Sequence, residues 1–136
     1  MYTQRILLIE DDPSEAKLAK YHLQKIAPEV SITHFTDGGS FLESCLSDPP
    51  QHVTLAIMDL HMHGMGGIET LEQLQEEGKR LPFPILILSS STNPDEVRRA
   101  YELGASAFVT KPADAEGYRR VLGHIIDFWL STNRIA

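Results

Sequence analysis

Four short stretches of this sequence hold side chains that could do chemistry together if the fold brought them to one place. They are Glu10-Asp11-Asp12, Asp59, Ser89-Ser90-Ser91 and Thr110-Lys111-Pro112. Carboxylates crowded together repel, and each raises the cost of ionising its neighbours. A hard, oxygen-ligated cation relieves that repulsion, and Mg²⁺ typically takes one or two carboxylates, waters and phosphate oxygens. Asp11, Asp12 and Asp59 supply such oxygens, and the backbone carbonyl of His61 is a further candidate ligand. Lys111 and Ser89 can bind anionic oxygens opposite the metal. Such a set suits phosphoryl transfer onto a carboxylate, with cation and ammonium neutralising the equatorial oxygens. Asp59 stands alone after the apolar run Val53–Met58, so it is the expected nucleophile.

Each of these residues also has a plainer use. Asp before Pro is more commonly a helix N-cap. A strand-end serine often bonds the backbone, and a lysine is usually a solvated surface charge. Only joint placement favours chemistry, and placement depends on the elements that carry the residues.

Those elements are legible as apolar runs alternating with segments of helical period. The runs Ile6–Ile9, Val30–Phe35, Val53–Met58, Ile85–Leu88 and Ala107–Val109 are too continuous for half-exposed strands. They predict strands buried on both faces, as in a parallel sheet. Asp12-Pro13 opens a helix through Ala16, Ala19, Leu23 and Ile26; Asp37 opens a second through Phe41, Leu42 and Leu46. Ile68, Leu71 and Leu74 mark a third. Asn93-Pro94 caps a fourth with Val97, Ala100 and Tyr101 inward, and a fifth runs from about Ala115 to Leu130. Strands alternating with helices imply a doubly wound α/β fold of five parallel strands and five helices. Ligands of such folds bind outside the carboxyl ends of the strands, where all four stretches fall.

Composition narrows the classes. At 136 residues, with 42% hydrophobic and 23% charged, the chain fits one globular domain over 1–136. Twelve basic against nineteen acidic residues give a net charge of −7, which disfavours DNA and anionic membranes as partners. Cys45 is the sole cysteine, so neither a disulfide nor a Cys-based zinc site is expected. Ile6–Ile9 is too short for a signal-peptide core or a membrane span, and a cytoplasmic protein is expected.

Ile-Glu-Asp-Asp-Pro at 9–13, Ile-Met-Asp-Leu-His-Met at 57–62, Ile-Leu-Ser-Ser-Ser at 87–91 and Gly-Ala-Ser-Ala-Phe-Val-Thr-Lys-Pro at 104–112 resemble the receiver domain of two-component response regulators. The resemblance covers essentially the whole chain. Asp12 to Asp59 is 47 residues, Asp59 to Ser89 is 30 and Ser89 to Lys111 is 22, as in that family. It implies a flavodoxin-like sheet of order 2-1-3-4-5. It also implies a phosphoacceptor at Asp59, charged from a phosphohistidine on a sensor histidine kinase or phosphotransfer protein. Asp11 and Asp12 then match the metal-binding acids, Ser89 the switch hydroxyl and Lys111 the phosphate-binding lysine. Phe108 matches the switch aromatic, and His61 and Ser91 the positions that tune dephosphorylation. Lys111-Pro112 matches a bond that is cis in the family.

The loop after Asp59 departs from the pattern. His63 stands where the family usually has proline and Gly66 where it often has an acid, so a looser loop is expected. A soft-metal site from His61, Met62, His63 and Met65 is a further reading, although a loop of this composition fixes no ligand geometry by itself. Two other classes stay open. An aspartate-nucleophile phosphatase of haloacid-dehalogenase type would carry Asp-x-Asp, but the residue two after Asp59 is His61. An unphosphorylated interaction module would not need Asp12, Asp59, Ser89 and Lys111 together.

Few residues follow the fifth helix, so no output domain is expected and the chain's own surface should carry the signal. Ile126–Thr132 resembles single-domain regulators associated with phytochrome-type kinases. Tyr118, Leu122, Ile125 and Trp129 form one apolar stripe, flanked by Val121 and Phe128 on one side and Ile126 and Leu130 on the other. That arc of roughly 200° exceeds the ~100° a surface helix needs to cover a core. A homodimer through this helix, with Val121, Phe128 and Trp129 at the interface, is the expectation.

Overall fold

The computed structural model describes residues 4–132. Its elements alternate strictly: β1 Arg5–Ile9, α1 Pro13–Ile26, β2 Ser31–Phe35, α2 Gly38–Ser47, β3 Val53–Met58, α3 Gly67–Glu76, β4 Ile85–Ser89, α4 Pro94–Glu102, β5 Ala107–Thr110 and α5 Ala115–Ile126. All strand pairings are parallel, in the order β2-β1-β3-β4-β5. This is the doubly wound α/β fold that the alternation predicts.

The continuous apolar runs follow from period-two geometry in a sheet covered on both sides. Ile6, Leu8, Leu55, Ile57, Leu86 and Leu88 point to one face and meet Ala19 and Leu23 of α1 and Leu122 and Ile125 of α5. Leu7, Ile9, Ala56, Met58, Ile85 and Ile87 point to the other, against Phe41 of α2, Leu71 and Leu74 of α3 and Ala100 of α4. Burial on both faces holds for β1, β3 and β4 but not for the flanking strands. Every residue of β2 is half-buried, and β5 runs from half-buried to exposed, because an edge strand has a neighbour on one side only.

Three local expectations are corrected. Tyr101 does not turn inward: it is 48% exposed, while Ala100 alone of α4 is fully buried. Nine residues of helix allow one deep contact line, and the small Ala100 takes it. The fifth helix is α-helical only to Ile126 and continues as a π-helical turn over Asp127–Thr132. Ile126 is buried, Val121, Trp129 and Leu130 are half-buried and Phe128 is exposed, so the apolar arc divides into a covered and an open side. Finally, no cis peptide bond occurs among the described residues, so Lys111-Pro112 is trans. Trans is the lower-energy isomer of an X-Pro bond by about 0.5–1 kcal/mol.

The loop between β3 and α3 is tighter than its glycines suggest. Gly67 donates its N–H to Leu60 O at 2.9 Å. A Cβ at Gly67 would stand 2.9 Å from Asp59 O and 3.1 Å from Leu60 Cα, so only glycine lets α3 begin directly against the strand end. Gly64 has φ +74°, a left-handed turn that glycine adopts without steric cost. These glycines fix the loop's path rather than loosen it.

A candidate acceptor site at the carboxyl edge of the sheet

Hydrogen bonds across the sheet register the strand ends. Asp59, directly after β3, donates its N–H to Ile9 O at 3.0 Å. Glu10, directly after β1, donates to Phe35 O at 3.0 Å, and its carbonyl lies 2.8 Å from His34 Nε2. Lys111, directly after β5, donates to Ser89 O at 2.8 Å. Residues far apart in sequence therefore share one edge because their backbones are bonded strand to strand.

The side chains converge around Lys111. Its Nζ lies 3.2 Å from Glu15 Oε2, 3.4 Å from Glu10 Oε1 and 3.8 Å from Asp59 Oδ2. Burial, with Lys111 side chain 10% and Asp59 side chain 13% exposed, strengthens these attractions relative to a surface pair. It also pushes the Asp59 carboxyl up from its ordinary pKa, against the Lys111 charge and the N–H groups of Leu60 and His61. The Leu60 N–H reaches Asp59 Oδ1 at 2.7 Å. Burial raises Glu10 further, to about 7, against the Asp12 N–H and with the Asp59 charge adding to the rise. Burial pulls Lys111 down, but Asp59, Glu10 and Glu15 outweigh it and its pKa is raised. An acid kept costly to ionise beside a held cation is electrostatically incomplete, which is the condition a bound cation or anion relieves.

Asp11, Asp12 and Asp59 share one cleft, but their carboxylates take different partners within it. Asp12 Oδ1 accepts from the N–H groups of Ser14 at 2.9 Å and Glu15 at 3.2 Å, so its carboxylate caps α1. Asp11 Oδ2 accepts the His63 N–H at 2.9 Å and lies 2.7 Å from His63 Nδ1. That N–H, then the partly opposing effect of burial, leaves Asp11 below its ordinary pKa. Among the described residues, the carboxylates that lie close enough to share one ion are Glu10, Glu15 and Asp59, with ligand oxygens within 4.8 Å of one another. All-oxygen donors of this kind fit a hard cation of the Mg²⁺ class. Motif matching misses Glu10 and Glu15. Two signals could have found them: Glu10 is the first residue after Ile9, and Glu15 sits three residues after the cap, where a first-turn acid faces the strand end.

The remaining candidates take definite places. Ser89 is fully buried, and its Oγ accepts the Ser91 N–H at 3.2 Å. Phe108 is half-buried on the α2–α3–α4 side of the sheet. His61 and His63 turn to different carboxylates, Glu96 and Asp11, and so do not converge on one metal. Asp11, Asp12, Glu15, Asp59, His61 and His63 line a single open cleft of about 740 Å³ over the strand ends. A separate groove of about 540 Å³ runs along β5 and α5, lined by Val109, Val121, His124, Phe128 and Trp129 among others. No helix among the described residues is long and apolar enough to cross a membrane.

Comparison with known proteins gives a consistent answer. The crystal structure of the phosphorylated cyanobacterial phytochrome response regulator RcpA superposes with a TM-score of 0.85 at 23% identity, covering 98% of this chain and 99% of that one. A response regulator receiver domain from Rhodospirillum rubrum gives 0.83 at 27% identity, with 96% of each chain covered. Response regulator Rcp1 of Synechocystis is 26% identical over 132 residues, 93% of this chain and 89% of Rcp1. The sensory/regulatory protein RpfC of Xanthomonas campestris pv. campestris is 37% identical over 137 residues, but the chain spans only 18% of RpfC. The family model described as response regulator receiver domain matches residues 6–122, from within β1 to within α5. A match that takes in all five strand ends and the cleft above them means that the chain belongs to the response regulator receiver domain family.

Proposed function

We propose that this chain is the phosphoacceptor of a two-component phosphorelay, with Asp59 receiving the phosphoryl group from a phosphohistidine on a histidine kinase or phosphotransfer protein. In that step the phosphorus–nitrogen bond of the donor breaks as a bond forms to an Asp59 carboxylate oxygen. The observation that carries the reading is the Asp59 carboxylate, buried at the central strand end and 3.8 Å from the Lys111 ammonium. The N–H of Leu60 orients Asp59 Oδ1, leaving Oδ2 on the Lys111 side. Lys111 would bind one phosphoryl oxygen, and Ser89, whose Oγ accepts the Ser91 N–H and keeps its hydroxyl hydrogen, would donate to another. Glu10 and Asp59 would hold Mg²⁺, with Asp11 and Asp12 lining the cleft beside them and the His61 carbonyl as a further oxygen. When bound, that cation supplies charge neutralisation for the transferring group. The chain is a signalling phosphoacceptor whose own side chains assist transfer and later hydrolysis.

The output surface we assign to α5 and the turn after it. Phe128 is 49% exposed and stacks edge-on against Trp129 at 5.2 Å between ring centroids. A homodimer through Val121, Phe128 and Trp129, tuned by Asp59 phosphorylation, accounts for this open apolar side. The similarity to RcpA and Rcp1 supports a phytochrome-type kinase as donor.

The test is phosphorylation of the full chain by acetyl phosphate with Mg²⁺, read as hydroxylamine-labile phosphate. Wild type should label and Asp59→Asn should not, with unchanged circular dichroism. Label persisting on Asp59→Asn would move the acceptor elsewhere and end this assignment.

A further inference from the structure

Glu96 lies in the first turn of α4, outside the acidic cluster and outside every motif in the sequence. Its carboxylate joins two loops. Glu96 Oε2 lies 3.1 Å and Oε1 3.3 Å from His61 Nε2, and Oε1 accepts the hydroxyl hydrogen of Ser91. Ser91 in turn donates its backbone N–H to Ser89 Oγ at 3.2 Å. At the other end, His61 stands two residues after Asp59, and its backbone N–H favours the ionised Asp59 carboxylate. Polar contacts thus run from His61 through Glu96 and Ser91 to Ser89, bridging the ends of the adjacent strands β3 and β4.

The ordinary reason for an acid at this place is the partial positive charge of a helix N-terminus. Asp95 satisfies that reason in α4 and pairs with Arg98 at 2.7 Å. Glu96 instead spends side-chain freedom on reaching across to another element, and its side chain is 28% exposed. What it holds matters. His61, with Leu60, Gly66 and Glu69, lines both the cleft over Asp59 and a neighbouring groove of about 580 Å³ between α3 and α4. The His61 side chain is 61% exposed, and the Glu96 carboxylate is the contact that holds its ring at the mouth of the cleft.

We propose that Glu96 is a positioning residue for the acceptor site, holding the His61 imidazole and the Ser91 hydroxyl together across the mouth above Asp59 and thereby prolonging the life of the acyl phosphate. The inference rests on Asp59 being the acceptor. In the step it slows, a water oxygen bonds to phosphorus as the bond from phosphorus to the Asp59 carboxylate oxygen breaks. Asp59 leaves as a carboxylate, and the water's protons pass to the released phosphate and to solvent.

The experiment phosphorylates the full chain with acetyl phosphate and Mg²⁺, removes the donor and follows loss of hydroxylamine-labile phosphate. Glu96→Ala should shorten the half-life roughly two- to fivefold, the scale of one partly exposed charge-assisted contact. His61→Ala should do the same, and the double variant should decay no faster than either single one, since both break one tie. Glu96→Gln keeps an oxygen that accepts from both Ser91 and His61, and should stay near wild type. Rescue by Gln separates positioning from loss of folding, which thermal melts of each variant also check. Wild-type decay in Glu96→Ala, or effects of Glu96→Ala and His61→Ala that multiply, would overturn the role of Glu96 while leaving the acceptor intact. A wild-type chain that takes no phosphate on Asp59 would instead sink the acceptor reading and this inference with it.

Discussion

The phenol oxygen of Tyr101 accepts the backbone N–H of Phe108 across 3.0 Å. Phe108 sits on β5, an edge strand with no neighbour on its outer side. Unpaired edge N–H groups are an invitation to pair with another chain, and covering one with a side chain blunts that edge. Tyr101 therefore stays exposed because its hydroxyl has work at the edge that an inward ring could not do. Tyr101→Phe keeps the ring and removes the acceptor. Amide exchange at Phe108 should then speed by about fivefold, the equivalent of one net hydrogen bond of ~1 kcal/mol. Hydrogen-exchange NMR at that amide checks it, and an unchanged rate would mean that the contact is not formed in solution.

Asp12 and Glu10 should respond in opposite directions. Asp12 caps two N–H groups of α1, so Asp12→Ala should lower stability by about 1 kcal/mol. Glu10 is buried among like charges, so Glu10→Gln should raise the stability of the metal-free protein while weakening Mg²⁺ binding. Denaturant melts with and without Mg²⁺ distinguish the two. If Asp12→Ala proves the more stable and loses Mg²⁺, the capping role is secondary and the motif assignment stands after all.

Cys45 is fully buried on the α2 side of the sheet, and burial pushes its thiol up to about 11, with Lys79 opposing weakly. The folded state then resists forming the thiolate more than the unfolded chain does. The sign follows from linkage. Stability is unaffected by this group below the ordinary thiol value of 9.0 and is lost as pH rises through about 11. The native protein should also resist alkylation at pH 8 until it is unfolded. Comparing Cys45→Ser with wild type in melts between pH 8 and 11 isolates the term; parallel curves would remove it.

Phe128→Glu should leave Asp59 phosphorylation untouched and yield a monomer. The substitution places a charge in the open apolar side of α5, about 49% exposed in the single chain, and burying it unpaired in an interface is costly. Light scattering at high micromolar concentration, with and without beryllofluoride, reads the state. A wild-type chain that stays monomeric in both conditions refutes a dimer here.

What the sequence by itself determined was the frame. Strands covered on both faces need apolar residues at successive positions, so Ile6–Ile9, Leu55–Met58 and Ile85–Leu88 announce central strands without tertiary information. Caps such as Asp12-Pro13 and Asn93-Pro94 announce where helices start, because they act within four residues of chain. The places of Asp59, Ser89 and Lys111 follow from the same local logic, since each directly ends or follows a strand. Tertiary structure alone decided which acids join them. Glu10, Asp11 and Asp12 are consecutive and chemically alike, and their order in the chain does not say which turns to Lys111, which to His63 and which to the helix. Competing hydrogen-bond donors made that choice: two α1 amides took Asp12, His63 took Asp11, and Glu10 was left to the buried ammonium with Glu15 beside it. The tie from His61 through Glu96 to Ser91 is of the same kind, for it joins residues 35 and 5 positions apart whose only common ground is the packing of α4 beside the loop after β3.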